Sequence, residues 1–467
     1  MLNYRLPSGL PAGSRAAWSR LLLQPLAGDL LTPLSYSVLG EVTGRAWFVY
    51  YDKLGFDPMP RARVARHYNG RAYFNLTLSA QREAEFAAVD PFTFVVDGAP
   101  QPLVKVEKPG FLAGVKSGRA AGRIQKGWSA MAADVQAQAD DAAAWDARVR
   151  DYRWTQAEIL QIMEEIEPNM VAPFVAFLAA RQNVLLNVNR LLRLAKQPPA
   201  ETLRQIDRGV GATGVVEADM ARAIGQMAQK AQRSAPALRT WLAAGDTQGW
   251  EDQLRAAGLM TDMQAFLDRY GHRAAAPAEL AAPRWSEDPA PLLRLLVEPP
   301  AAPAPADEHA ISVLLASIDS RDTQARKDAQ ISIDLLRTLV PLQSRTIDAL
   351  THDFAGARRW AWGASREAMG DQRLTEADDV FLFELEELKR MMTNEWNVSD
   401  RAEIHATAAK RKAEFAGWQT AAAPDLLFGD APAETLDRLE PSPVLLPGLY
   451  LQSAHPRNGE GVTRTGG

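Results

Sequence analysis

The strongest constraint on the fold is a stretch that is apolar on nearly every side of a helix, VAPFVAFLAARQNVLLNVNRLLRLAK at residues 171–196. A helix without a broad polar face has to be covered by other elements, so this stretch predicts a central buried helix. Helical periodicity continues from about residue 120 to 420, with a break expected near Pro341. The uncharged run at 168–180 is too short to cross a bilayer and contains prolines, so we expect no membrane span.

The first part of the chain has a different pattern. Two runs rich in aromatic and β-branched residues, GRAWFVYY (44–51) and GRAYFNLTL (70–78), each open with glycine and predict strands. PFTFVVDGAPQPLVKVE (91–107) predicts a further strand, a D-G turn and a second strand.

These patterns divide the chain into three regions. Residues 1–120 are predicted to form a small mixed α/β part, and residues 121–424 a helical domain, so the fold class is mainly α. After residue 424 the periodicity fades into prolines and glycines. Residues 425–467 are therefore predicted to be an extended tail that is poorly ordered alone and docks a partner.

Composition excludes several classes of function. The net charge of −5 gives no basis for binding nucleic acid. The chain has no cysteine, which excludes disulfides, thiolate metal sites and thiol nucleophiles and fits a reducing compartment. The N-terminal residues lack the apolar region of a signal peptide, so we expect a cytoplasmic protein.

Common nucleotide and metal motifs are missing. RGVGATGVV (208–216) has the G-x-G-x-x-G spacing, but a helical segment precedes it instead of a strand, which favours a glycine turn over a dinucleotide site. The sequence contains no P-loop, no H-E-x-x-H and no G-x-S-x-G. Its six histidines are scattered, so we expect no metal and no cofactor on this chain.

The segment DRYGHRAAAPAELAAPRWSEDP (268–289) concentrates charged residues in a turn-rich span between two helices. His272 and Arg273 directly follow an expected helix C-cap, and Glu279 and Arg284 come later in the segment. His272 is a candidate proton acceptor because an unperturbed imidazole titrates near neutral pH. The alternative is structural, since an Arg–Glu pair can simply close a loop.

Two more segments carry candidate ligand-binding groups. ARRWAWGASREAMGDQR (357–373) combines arginines, whose forked donors suit phosphate, with tryptophans that offer flat apolar walls. LLTPLSYSVLG (30–40) is a hydroxyl-rich turn and extended segment. Their candidate side chains are Arg359, Trp360, Trp362, Arg366, Thr32, Ser35 and Tyr36. A solvated helix face and a turn that bonds to itself are the structural alternatives.

Taken in order, these segments resemble one family. LLTPLSYSVL, GRAYFNLT, YGHR, PRWSEDP, SRE and DDVFLFELEEL are similar to the substrate-binding middle region of rifampicin phosphotransferase and its phosphoenolpyruvate-synthase-like relatives. The similarity covers roughly residues 20–430. It implies that residues 121–424 are a helical substrate-binding domain.

The resemblance also implies a reaction. In that family an ATP-grasp domain phosphorylates a histidine on a mobile domain, which then carries the phosphoryl group to the acceptor. This chain resembles the acceptor-binding part alone, so an ATP-grasp subunit and a phosphohistidine-domain protein are expected partners, with ATP and magnesium on the partner. The implied acceptor is a small apolar alcohol or phenol. His272, Arg273 and Arg366 are the implied catalytic residues, and Glu279 joins the acceptor-binding residues.

One departure from the family leaves an alternative open. Relatives place a basic residue four positions after the arginine that aligns with Arg366, and here that position is Gly370. Either the phosphate clamp is weaker or another arginine, such as Arg373, replaces the missing cation. The weaker clamp favours the rival interpretation, a non-catalytic ligand-binding or scaffold protein derived from the same family.

Overall fold

The structure is a computed structural model that describes residues 3–6, 16–57, 59, 63–84, 93–96, 99–104, 111–234, 236–243, 248–301, 304–435 and 437–439. Helices dominate these residues, and a small α/β part lies at the N-terminal end, so the predicted mainly α class is confirmed. The helices are α1 (Gln24–Ala27), α2 (Pro33–Leu54), α3 (Leu76–Ala84), α4 (Phe111–Arg150), α5 (Gln156–Leu194), α6 (Pro199–Val210), α7 (Val216–Ser234), α8 (Pro236–Ala243), α9 (Trp250–Ala256), α10 (Met260–Tyr270), α11 (Ala290–Val297), α12 (Glu308–Ala316), α13 (Thr323–Gly370), α14 (Leu385–Met392) and α15 (Arg401–Thr420). Two 3₁₀ helices span Ala377–Leu382 and Val398–Asp400.

The strands form two small sheets. They are β1 (Asn3–Leu6), β2 (Ala17–Ser19), β3 (Ala65–Tyr68), β4 (Arg71–Asn75), β5 (Thr93–Val96), β6 (Ala99–Pro102), β7 (Leu426–Phe428), β8 (Ala431–Pro432) and β9 (Asp437–Leu439). One sheet has the order β6-β5-β1-β9 and the other β3-β4-β2-β7-β8. The β1–β5 pair is parallel, and the other described pairs are antiparallel.

The strand predictions were right in two places and wrong in one. β4 lies within 70–78, and β5 and β6 lie within 91–107, while the D-G turn at 97–98 falls outside the described residues. GRAWFVYY (44–51) was predicted as a strand, but it lies inside α2. The physical reason is burial, because residues spaced three or four apart along α2, including Trp47 and Tyr50, pack into the main core.

The centre of the helical domain is α5, as its sequence predicts. It packs against α13, α4 and α2, and it continues through Pro168 and Pro173. By length and composition α5 could cross a membrane, but 72% of its most apolar window is buried inside the protein, as in the core helix of a soluble domain. α13 also continues through Pro341, so the predicted break there is wrong. Its packing against α5 and α4 offsets the cost of an interior proline, about 3 kcal/mol.

The segment predicted to be an extended tail forms strands in its first part. β7 pairs with β2 and buries Leu426, Leu427 and Phe428, and β9 pairs with β1. The predicted domain boundary at residue 425 therefore divides both sheets. β7 and β9, which follow it, pair with β2 and β1, which precede it, and so satisfy their edge hydrogen bonds. Residues 440–467 lie outside the described part of the chain.

Candidate functional site

One face of α13 carries a row of polar residues. Ser344, Asp348 and His352 follow one another at intervals of four, which places them on the same side of the helix. This face meets the N-terminus of α7, the turn after α10 and the C-terminal part of α4.

The turn after α10 presents His272 and Arg273 to that face. The Arg273 amide donates to the carbonyl of Tyr270 at 3.0 Å, and the Arg273 carbonyl accepts from the Trp285 amide at 2.8 Å, which fixes the turn. The Arg273 guanidinium bonds Asp348 Oδ1 at 2.8 Å through Nε and Glu217 Oε1 at 3.1 Å through Nη1. Both carboxylates and the guanidinium therefore form one charge-paired group, in which Arg273 and Glu217 are buried and Asp348 is partly exposed.

His272 and His352 lie together although 80 positions separate them in sequence. Their rings stack with centroids 3.4 Å apart and planes 12° from parallel. His272 Nε2 is 3.2 Å from Asp348 Oδ1, and His352 Nδ1 is 3.1 Å from Asp146 Oδ2 on α4. We call His272, Asp348 and His352 the histidine cluster. The histidines are scattered in the sequence, and the turn after α10 brings His272 against His352 of α13 only in the folded chain.

Two arginines neutralise Asp146, the carboxylate that contacts His352. Asp146 is 1% exposed and pairs with Arg359 on α13 and, at 3.3 Å, with Arg150 on α4. The predicted acceptor ligand Arg359 is thus committed to a buried carboxylate. That pairing holds Asp146 in position to orient His352.

Burial controls ionisation in the cluster. It lowers the pKa of His272 and the pKa of His352 to about 4, so both rings are neutral near pH 7. Burial alone would raise the pKa of Asp348, but Arg273 and His272 hold it below its ordinary value, and the carboxylate stays ionised. A neutral imidazole beside a carboxylate donates its N–H to it, so each ring keeps one nitrogen with a free lone pair.

The structure brings together three of the predicted acceptor-binding residues, Thr32, Ser35 and Glu279. Glu279 accepts hydrogen bonds from the Thr32 amide at 2.6 Å and from both hydroxyls at 2.9 Å. The Ser35 hydroxyl in turn accepts from the Leu280 amide at 2.7 Å. Burial raises the pKa of Glu279 despite these bonds.

This network caps a helix. Residues 30–40 were predicted as a turn and extended segment, but α2 begins at Pro33, and Thr32 is its N-cap. The Glu279 carboxylate takes the place of a capping side chain and ties the loop to α2. The arrangement therefore fits the structural alternative.

The remaining part of 268–289 is fastened to α13. Arg284 is buried and donates to the carbonyls of Pro277 at 2.9 Å and Phe354 at 3.1 Å. Burial lowers the pKa of Arg284 to about 9. Arg358 bonds Glu287 at 2.9 Å and the Leu280 carbonyl. The segment thus acts as a brace that positions His272 and Arg273.

The last turns of α13 form a different surface. Arg366 is exposed and makes no hydrogen bond or ion pair with any residue that the structure describes. Trp362 lies one turn earlier and is half-buried, with its ring against Phe381 at 5.1 Å. Gly363 lies under the half-buried Trp154, since a Cβ there would be 2.6 Å from the indole. A Cβ on Gly370 would meet nothing within 4 Å.

We call Trp154, Trp362, Gly363, Arg366 and Gly370 the Arg366 face. Two other sequence candidates lie away from it. Trp360 is fully buried and donates to the Ile159 carbonyl at 2.9 Å, so it is a core residue. Tyr36 packs against His67 with ring centroids 5.0 Å apart.

Arg373 is not available to replace the cation missing at position 370. It is buried and bonds Asp371 at 3.0 Å and the Met391 carbonyl. Those bonds hold the turn after α13, which leaves Arg366 as the exposed arginine of this surface.

The structure does not bring the three predicted catalytic residues together. His352, which stacks on His272, and Arg366 are fourteen positions apart on α13, which at 1.5 Å per residue is about 21 Å along the helix. That separation exceeds the reach of one arginine side chain. His272 and Arg273 therefore lie at one site and Arg366 at another.

A comparison with protein families finds a match to part of the chain. Residues 169–344 match the family model of the rifampicin phosphotransferase fourth domain. The fourth-domain match runs from α5 into α13 and includes His272, Arg273 and Glu279, and it confirms the predicted resemblance over that segment. No curated protein sequence matches the chain significantly.

Sequence reasoning missed Asp348, His352, Asp146 and Trp154. The spacing of four between Ser344, Asp348 and His352 was a usable signal, because it marks one polar stripe on an otherwise amphipathic helix. Asp146 and Trp154 carried no local signal. Asp146 lies on α4 and Trp154 follows that helix, and both contact α13 only through tertiary packing.

Proposed function

We propose that this chain is the phosphoryl-acceptor-binding subunit of a split, ATP-dependent phosphotransferase. The observation that carries the proposal is the exposed guanidinium of Arg366, which has no partner among the described residues and lies beside half-buried tryptophans, on a chain that carries the fourth-domain match. Phosphoryl transfer needs positive charge next to the equatorial oxygens and a positioned acceptor, and little else from the protein.

The neighbours of Arg366 suggest the acceptor. Trp154 covers the buried Gly363, which directly follows Trp362, and the two half-buried indoles offer aromatic area near Arg366. Such walls suit a small apolar alcohol or phenol, whose hydroxyl would lie next to Arg366. Because about 21 Å along α13 separates the two sites, the proposal gives the phosphoryl group to Arg366 and not to His272 and Arg273.

The partners follow from the same proposal. An ATP-grasp subunit would bind ATP and magnesium, and a phosphohistidine-domain protein would deliver the phosphoryl group to the Arg366 face. The rival function, a binding or scaffold protein, is favoured by one observation: the cation expected four residues after Arg366 is absent, since Gly370 stands there.

Reconstitution tests the proposal. The chain is used to capture ATP-grasp and phosphohistidine proteins, and the mixture is screened for ATP consumption over phenols and alcohols, with the phosphorylated product followed by phosphorus NMR. Arg366→Ala should lower kcat by on the order of 10² while acceptor affinity stays within a few-fold. The reason is that the guanidinium stabilises negative charge on the phosphoryl group mainly in the transition state. The matched control is Arg345→Ala, an exposed arginine on the same helix.

A gain-of-function variant separates the two candidate functions. Gly370→Lys places a second cation one turn from Arg366, where a side chain meets no described atom. An increased kcat supports the phosphotransferase. Binding of acceptors without product in the wild type and in Gly370→Lys would establish the non-catalytic binder instead.

A further inference from the structure

The proposed function does not use the histidine cluster. It lies about 21 Å along α13 from Arg366, and it has the composition of two imidazoles and one carboxylate. One donor atom from each of His272, Asp348 and His352 can be chosen so that all three lie within 4.8 Å of one another. That composition and spacing need an explanation that does not involve the Arg366 face.

We propose that His272, Asp348 and His352 form a binding site for a divalent transition-metal ion of the zinc class. Imidazole nitrogen suits zinc, cobalt and nickel, whereas magnesium and calcium prefer all-oxygen ligand sets. Zinc is bound at about 2.0–2.2 Å from nitrogen and oxygen, with ligand atoms therefore roughly 3.3 Å apart. The donors need to close by about 1.5 Å at most, which side-chain rotation can supply.

The surroundings prepare the ring of His352 as a ligand. His352 directs Nδ1 to Asp146 at 3.1 Å, so the lone pair on Nε2 is the one that it can offer. A carboxylate behind a metal-binding histidine is the usual outer partner, because it fixes the ring and raises its basicity. Asp146 is itself held by Arg359, which makes this orientation rigid.

Only one of the two carboxylate oxygens of Asp348 contacts His272 and Arg273. Its contacts with His272 and with both nitrogens of Arg273 use Oδ1, so Oδ2 is the atom that these contacts leave for a metal. Glu217 lies 3.1 Å from Arg273 and continues to neutralise it when Asp348 turns toward an ion. The side chains of Asp348 and His352 are 26% and 19% exposed, which gives the ion a route from solvent.

Metal binding changes the cluster. Two parallel rings 3.4 Å apart cannot both aim an in-plane lone pair at one ion, so the stack has to open as the ion enters. The energy of breaking the stack and of moving charge beside Arg273 reduces the affinity. Binding should therefore be weaker than in a preformed structural zinc site.

Titration of the full chain tests the site. Zinc is added in a calorimeter, and cobalt is added while its visible ligand-field absorption is followed, with magnesium as a third probe. We expect one zinc or cobalt ion per chain and no comparable magnesium binding. His352→Ala should weaken binding by more than the roughly 100-fold that outer partners contribute, and Asp146→Asn by about 10- to 100-fold. The matched control His405→Ala removes a histidine on α15 and should bind as the wild type does.

Two results would overturn the site. One is the absence of saturable zinc and cobalt binding to the folded wild type. The other is zinc affinity that His352→Ala and Asp146→Asn leave unchanged, which would assign the ion to the surface. Asp146→Asn keeps the shape of the side chain, so it retains the test if His352→Ala fails to fold, as circular dichroism would show. The readout is independent of phosphotransfer, so failure of either proposal leaves the other standing.

Discussion

The histidine cluster and the Arg366 face both include residues of α13, but they differ in whether their charged groups are paired with other groups of the described chain. In the cluster, Asp348 pairs with the Arg273 guanidinium and accepts a hydrogen bond from the neutral His272 ring. Arg366, about two turns past the paired Arg359, is exposed and lacks a partner among the described residues. Paired, buried charges fix the local structure, whereas an unpaired cation remains available to interact with a ligand.

Breaking the buried pairing should have the largest effect. Arg273→Ala leaves the buried Glu217 and the partly exposed Asp348 without their shared cation, and removing one partner of a buried pair costs about 3–5 kcal/mol of unfolding free energy. Urea unfolding measures the loss. The control Arg269→Ala removes a 67% exposed arginine and should change stability by less than about 0.5 kcal/mol. A loss below about 1 kcal/mol for Arg273→Ala would mean that water, and not Arg273, stabilises these carboxylates.

Asp353 sharpens the comparison because it is a buried carboxyl beside the cluster that has no partner among the described residues. Burial raises the pKa of Asp353 well above its ordinary value. The folded protein therefore keeps a proton that the unfolded chain loses above about pH 4, and stability falls as pH rises from there toward the folded pKa. The contribution is about 1.4 kcal/mol for each pH unit.

Asp353→Asn should remove that part of the pH dependence and make the protein more stable at pH 7 than the wild type. Urea unfolding at several pH values measures it. Asp334→Asn, on the exposed side of α13, is the matched control and should keep the wild-type slope. Equal slopes in both variants would show that Asp353 is ionised in the folded state.

The smallest effect is expected at Arg366. Arg366→Ala removes an exposed side chain that contacts no hydrogen-bond or charge partner in the described part of the chain, so the free energy of unfolding should change by less than about 0.5 kcal/mol. Thermal and urea unfolding check this value. A larger loss would show that Arg366 braces the end of α13, and it would remove the contrast between the two regions.

The sequence predicted the helical core well because burial on all sides leaves a long, continuous pattern, as in α5. It failed at GRAWFVYY, where local strand propensity lost to the packing of α2 on the core. The same limit applies to the site. His272 and Arg273 stood out by their position after a helix, but Asp348, 75 positions from Arg273, became their partner only through the packing of α13. No local pattern encodes such a pairing.

The pairing of β1 with β9 determines how this protein responds to mechanical load. Asn3 lies opposite Leu439, and the two strands are antiparallel. A pulling force applied through the chain before Asn3 and after Leu439 acts at one end of the strand pair, so it loads one set of interstrand bonds at a time. The pair would therefore unzip at low force instead of resisting in shear. In optical tweezers, β9 should peel away in an early, short extension step while the helices remain packed.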